Sequence, residues 1–229
     1  VASIYALLAD LLAGVPAPTI IEIGAHHGHD TVELRALFPR ATIYAFEPDP
    51  RNIFRLKRSG VHKAVHLVEA AVGDTDGSAQ FLLSSGRPPV GDPHYTKGQP
   101  NEPWSYSSSL KPPVKHLENV PWVRFESKAT VPVVRLDTFC AARGIDAIDF
   151  IWADVQGAED LLIAGGQAAL ARTSFLYTEY SDEEIYKGQL NLGEIVRRLP
   201  GRWEVVEDFA GDALLRNASK LGPIVPPTA

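Results

Sequence analysis

The feature that most constrains this chain is a short apolar run that ends in two spaced glycines. Residues 19–25 read Thr-Ile-Ile-Glu-Ile-Gly-Ala, and Gly28 follows. An isoleucine-rich run of this length, stopped by glycine, suits a strand buried on both faces. Residues 30–38 then carry a helical pattern that Pro39 stops. A buried strand, a tight glycine turn and a helix open a βαβ unit. Without Cβ atoms in the turn a ligand can approach the backbone closely. The free N–H groups of the helix start favour an anion there.

The alternation recurs. Strands are expected at 42–47, 65–72, 131–136, 150–155 and 174–180, with a short extra one at 77–83. Helices are expected at 51–58, 137–143, 159–170 and 192–199. Two short runs, 203–208 and 213–216, are joined by Ala210-Gly211-Asp212 and predict a closing hairpin. The fold class read from this is α/β: a Rossmann-like sheet, mostly parallel, closed by an antiparallel hairpin. A length of 229 residues suits one domain, 1–229. Its first segment, 1–17, is expected as an amphipathic helix, with Ile4, Leu7, Leu8, Leu11 and Leu12 at helical spacing.

Residues 85–130 break the pattern. Nine of the 18 prolines fall between Pro88 and Pro132, and Tyr95, Trp104, Tyr106 and Trp122 stand among Gly, Ser and Asn. Long loops are functional or disordered, and disordered segments are poor in aromatics. An inserted lid or substrate-facing loop is expected, against the alternative of a surface excursion.

A net charge of −6 argues against a general nucleic-acid binder, which needs basic surface. The single cysteine, Cys140, allows no internal disulfide and fits a reducing, cytoplasmic setting. No apolar run approaches the roughly 20 residues that span a bilayer. The absence of methionine leads us to expect a trimmed or processed start.

Glu47 ends the second expected strand, 23 residues after Gly24. A carboxylate there can accept both hydroxyls of a ribose, which points to a nucleoside cofactor. A dinucleotide fingerprint wants Gly-x-Gly-x-x-Gly. Here His26 stands where the middle glycine admits pyrophosphate. Glu22, just before the turn, suits the cationic end of S-adenosylmethionine and repels pyrophosphate. That cofactor is the better reading. An NAD(P)-dependent oxidoreductase and a catalytically silent nucleoside-binding domain are the alternatives.

The run Glu22-Ile23-Gly24-Ala25-His26-His27-Gly28-His29-Asp30-Thr31 resembles the Asp-Val-Gly-Ala-Asn-x-Gly-x-x-Thr opening of FkbM-type methyltransferases. Phe46-Glu47-Pro48 is similar to that family's acidic-Pro end of the second strand. Ser107-Ser108-Ser109-Leu110 resembles its serine-rich segment. Arg135-Leu136-Asp137-Thr138-Phe139 resembles its Leu-Asp-x-Phe block, and residues 149–159 its Asp-Phe-Ile-Lys-Ile-Asp-Val-Glu-Gly-x-Glu block. The likeness runs in order from about residue 20 to 180. Three positions depart from it: His26 for asparagine, Trp152 for lysine and Gln156 for glutamate. The last two lend the silent alternative some footing.

The resemblance implies a seven-stranded sheet with its last strand antiparallel, and O-methylation of a sugar or other small hydroxylated metabolite. It implies that Glu22, Gly24, Ala25 and His26 line the amino-acid end of the cofactor, with Gly28 and Thr31 completing the turn. Glu47, followed by Pro48, would hold the ribose. Ala70 and Ala71 would flank the adenine, and Asp154, Val155 and Gln156 would sit by the methyl group. For the acceptor, whether small molecule or glycan, the candidates are Trp104, Tyr106, Ser108, Ser109, Gln156 and Glu159. An alcohol must lose its proton to a positioned base. Asp154 is the first choice, His27 the second, and Glu179 a further polar group. His26, His27 and His29 lie too close together in one turn to converge on a metal, and none is expected.

Overall fold

The structure, a computed structural model, describes residues 3–92 and 103–222. Tyr95 of the insertion lies outside them. The strands are β1 (Thr19–Ile23), β2 (Thr42–Phe46), β3 (His66–Val68), β4 (Ala71–Val72), β5 (Gly77–Ser85), β6 (Arg124–Val134), β7 (Ile148–Ala153), β8 (Thr173–Glu179), β9 (Trp203–Asp208) and β10 (Asp212–Asn217). The helices are α1 (Ile4–Leu11), α2 (His29–Leu37), α3 (Pro50–Ser59), α4 (His116–Asn119), α5 (Leu136–Arg143), α6 (Glu159–Gly165), α7 (Gln167–Ala171), α8 (Leu192–Arg198) and α9 (Ala218–Leu221).

Seven strands form the main sheet in the order β3-β2-β1-β7-β8-β10-β9. The first five are parallel, and β10 runs antiparallel to both its neighbours. Successive β1 side chains feed two cores, as the two-residue period of a strand demands. Ile21 and Ile23 join Leu136, Phe139, Leu162 and Leu170 beneath α5, α6 and α7. Ile20 joins Leu8, Leu12 and Leu34 beneath α1 and α2. Each fully buried aliphatic contributes roughly 1.5–3 kcal/mol, so both faces of β1 are committed. The order reverses at β1, with β2 on one side and β7 on the other. A crevice opens at the carboxyl ends of strands at such a point.

Four elements differ from the sequence reading. Among the described residues of the helix expected over 1–17, only Ile4–Leu11 is helical, and a turn follows over 12–14. The strand expected at 65–72 is two strands in two sheets. The chain leaves the main sheet at Glu69, and β4 pairs instead with β6 in a three-stranded sheet ordered β4-β6-β5. The strand expected from residue 131 begins at Arg124, inside the segment read as an insertion. Most of β6 faces water, so the two-residue apolar alternation that would reveal it is missing. The helix expected at 159–170 breaks at Gly165–Gly166, where a Cβ on Gly165 would lie 1.9 Å from Gly73 O.

Candidate active site

The crevice holds a cavity at the switch point of the sheet, where small-molecule sites of α/β folds lie. Its floor is the turn after β1. Gly24 and Ala25 both donate their N–H groups to Phe46 O, at 3.0 and 2.9 Å, which draws the ends of β1 and β2 together. Gly24 has φ +96°, and a Cβ there would lie 2.0 Å from Asp154 O. Only glycine lets the chain pass that close to the end of β7. His26 sits at φ +48°, a costly conformation for a side-chain-bearing residue, about 1–3 kcal/mol. It is held there because its N–H donates to Glu47 Oε2 at 2.7 Å.

Glu47 is buried and lines the cavity. Its other oxygen accepts from Asp49 N–H at 2.8 Å and from the Asn52 amide at 3.4 Å. Burial pushes its carboxyl up to about 7, against those donors. A carboxylate has about four acceptor positions, so capacity remains for a ligand hydroxyl. Pro48, Ala70, Ala71 and Val155 also line the cavity.

Beside the turn, at the ends of β7 and β8, stands a pair of half-buried carboxyls. Asp154 lines the cavity, and Glu179 lies behind it in hydrogen-bond contact. The Gln156 amide joins them, donating to Asp154 Oδ1 at 2.7 Å and Glu179 Oε2 at 2.9 Å. Burial raises both carboxyls above their ordinary values, and the neighbouring Asp212 raises both further. Two carboxyls in contact share a proton, because like charges this close resist joint ionisation. Asp30 also lines the cavity, with Tyr5 of α1 donating to its Oδ1 at 2.5 Å. The lining thus carries three acids and no lysine or arginine. That favours a cationic ligand and opposes a pyrophosphate. With the glycine cradle and the Glu47 carboxylate, the chemistry of the cavity fits S-adenosylmethionine.

The insertion roofs this space. Ser105, Tyr106, Ser108 and Leu110 line the cavity. His26 stacks on His27 at 3.7 Å and lies 3.9 Å from the Tyr106 ring, with Nε2 2.8 Å from Ser105 Oγ. Burial pushes its imidazole down to about 2, and neighbouring His27 and Arg55 add to this, so the ring stays neutral.

Several residues singled out in the sequence have other tasks. Glu22 and Thr31 lie behind the turn: Thr31 Oγ1 donates to Glu22 at 2.6 Å, and burial raises Glu22 to about 8. Glu22 therefore ties α2 to β1 and does not line the cavity. Gly28 is also outside the lining; a Cβ there would meet Leu56 at 2.8 Å. His27 lines the cavity, but its Nε2 faces Arg55 Nη1 at 3.0 Å. A permanent cation at that nitrogen opposes a role as base. Glu159 is fully buried, accepts from Gly157 N–H at 3.3 Å and is raised by burial to about 8.

Trp104 anchors the roof from outside the lining, packed edge-on against Trp122 at 4.8 Å and donating to Ser107 Oγ at 2.9 Å. Ser108 Oγ accepts from Ser84 N–H at 3.0 Å and lies 3.2 Å from both Arg51 and Asp49. Ser109 Oγ donates to Gln156 O at 2.7 Å, which fixes Gln156 at φ +51°. Trp152 packs between Tyr5 and Tyr177, away from the crevice, so its replacement of lysine leaves the cavity untouched. Sequence reading missed Asn52, Ser105, Asp30 and Tyr186. Asn52 alone had a signal, in the first turn of the helix after Glu47-Pro48. Among the described residues no three metal-ligating side chains come together, and no helix is long and apolar enough to cross a membrane.

A doubly wound sheet in this order, with antiparallel β10 inserted next to last and an acid-lined crevice at the reversal, is that of a class I methyltransferase. Comparison with known proteins narrows the class. Residues 22–209 match the Methyltransferase FkbM domain, and the chain belongs to that family. It is 42% identical over 207 residues to 2-O-methyltransferase NoeI of Sinorhizobium fredii (strain NBRC 101917 / NGR234), covering 88% of this chain and 80% of that protein. Among solved structures, WbdD superposes with a TM-score of 0.50 at 10% identity, over 93% of this chain and 39% of that one. That likeness is one of fold.

Proposed function

We propose that this chain methylates a hydroxyl oxygen of a sugar or other small hydroxylated metabolite, with S-adenosylmethionine as donor. The observation that carries this reading is the convergence of two features on one cavity: the Gly24 turn with Glu47, and Asp154 with Glu179 behind it. The name of the 42% identical relative supports oxygen as the acceptor atom. The cofactor supplies a methyl carbon on a sulfonium; as the acceptor oxygen bonds to that carbon, the carbon–sulfur pair stays on sulfur and the hydroxyl proton must leave.

Gly24, Ala25 and the neutral His26 border the amino-acid end, Glu47 takes the ribose hydroxyls, and Ala70 and Ala71 flank the base. Tyr106, in the lining, is the aromatic side chain nearest to where the acceptor would sit, and ring edges and faces suit a sugar's C–H side. Asp154 takes the acceptor proton, and Glu179 supports it. Holding the reactants in line contributes roughly 7–11 kcal/mol, and proton removal a further 10²–10⁴-fold or so. Asp154→Asn tests the assignment. Turnover is expected to fall by about 10²–10⁴, with affinity for S-adenosylhomocysteine retained in calorimetry. Unchanged turnover removes Asp154 as the base.

A further inference from the structure

Tyr186 reaches the site from a segment that the sequence did not mark. It lies between β8 and α8, in a stretch that pairs with the insertion: Val114 N–H donates to Ile185 O at 2.8 Å, and Lys187 N–H to Pro112 O at 2.9 Å. Its side chain is 2% exposed. Its hydroxyl lies 2.9 Å from Ser107 O and 3.1 Å from Gln156 Oε1. Gly157, at φ +86°, makes room for it; a Cβ there would lie 2.5 Å from Tyr186 Cβ. A buried phenol needs a hydrogen-bond partner, and the single proton of this one is shared between two acceptors, Ser107 O and Gln156 Oε1, on the two loops beside the carboxyl pair.

A primary amide has ends of opposite sense: its oxygen accepts and its nitrogen donates. With Oε1 engaged by the phenol, Nε2 is the end left to face the carboxyls, at 2.7 and 2.9 Å. Turned over, the amide would set its carbonyl oxygen against the same two groups, an arrangement that an ionised carboxyl repels. We propose that Tyr186 is a positioning residue for the transfer: it holds the Gln156 amide with its amino group on Asp154 and Glu179, and so keeps the pair singly ionised and ready to take the acceptor's proton. On taking it the pair holds two protons, and one returns to water after product leaves. This rests on the assignment of the pair made above.

The other groups facing the pair are acids: Asp30 from α2, Glu159 from α6 and Asp212 from β10. The His116 ring lies 5.3 Å from the Tyr186 ring. In that acidic field the Gln156 amino group favours ionisation, and its loss disfavours it. The test is a carboxyl-carbon NMR titration of the protein alone, without cofactor or acceptor. In Tyr186→Phe the pair's apparent ionisation is expected to rise by about one pH unit. The acid limb of the kcat profile should move with it, while S-adenosylhomocysteine affinity and acceptor KM hold. Gln156→Met removes the donor without touching the phenol and should give the same rise. Adding Tyr186→Phe to it should move the titration no further, since the two act as one unit.

An unmoved or lowered titration in folded Tyr186→Phe overturns the proposal, as do additive shifts in the double variant. If Tyr186→Phe does not fold, an unmoved titration in Gln156→Met overturns it. A titration that moves while the kcat profile stays fixed counts against the pair as proton acceptor and leaves Tyr186's hold on the amide intact.

Discussion

The two walls of the cavity are built by different means. The wall at the ends of β1 and β2 is made by main chain: Gly24 and Ala25 N–H on Phe46 O, and His26 and Asp49 N–H on the Glu47 carboxylate. The other wall draws Ser105–Ser109, Gln156, Glu179 and Tyr186 from separate stretches and joins them through side chains. A wall made of backbone conformation depends on which residues can adopt that conformation. A wall made of side-chain bonds can be altered one bond at a time. Changes in the first should therefore act nearly all-or-none on the cofactor, and changes in the second should act in increments on acceptor and stability.

Gly24→Ala should have the largest effect. It needs φ +96° from an alanine and places a methyl 2.0 Å from Asp154 O, so the ends of β1 and β7 must part. Affinity for S-adenosylhomocysteine should fall on the order of a thousandfold, about 4 kcal/mol, in calorimetry. Binding kept within tenfold would break the contrast at its root. Glu47→Gln comes next. The amide's NH₂ must confront one of the backbone donors that the carboxylate accepts from, at a cost of about 1–3 kcal/mol. Cofactor affinity should drop roughly 5- to 150-fold, with acceptor KM little changed.

Ser108→Ala probes the other wall. It leaves Ser84 N–H buried without its partner, which costs about 1–3 kcal/mol. Thermal unfolding should shift down by roughly 2–4 °C per kcal/mol in a chain of this size, with cofactor affinity retained. A lost acceptor affinity at unchanged Tm would instead make Ser108 an acceptor contact.

The same contrast explains what the sequence made legible. The Gly24 turn and Glu47 could be read because their geometry follows from neighbours: a buried run, a glycine, and an acid at the next strand's end. Family motifs added Asp154 at the end of β7. Tyr186 and Ser105 left no trace, because nothing local dictates them; only the folded insertion brings them to the crevice. Glu22 misled for the reverse reason. An acid beside a glycine turn looks like a ligand group until the hydroxyl of Thr31 is seen beside it and burial has raised its carboxyl. The exposed start of β6 was hidden because a strand with water on both sides has no apolar period to detect.

The last effect expected is a dependence of stability on pH. Burial raises Glu22 to about 8, Glu47 to about 7 and Glu159 to about 8, from 4.5. Between the unfolded value and these folded values the native state holds more protons than the unfolded chain. The stability these carboxyls contribute is therefore greatest near the lower end of that window and falls as pH rises through it, while His26, pushed down from 6.5, acts the other way below that value. A fall in Tm is expected between about pH 5 and pH 8 for the protein alone, flattening above. Two of the three carboxyls sit at or behind the Gly24 turn, so Glu159→Gln should remove the smaller share of the slope. The larger share would go with Glu22→Gln and Glu47→Gln together. A Tm that rises across the window would mean that these carboxyls are ionised in the folded protein, paired with donors stronger than the hydroxyl and N–H groups that now face them.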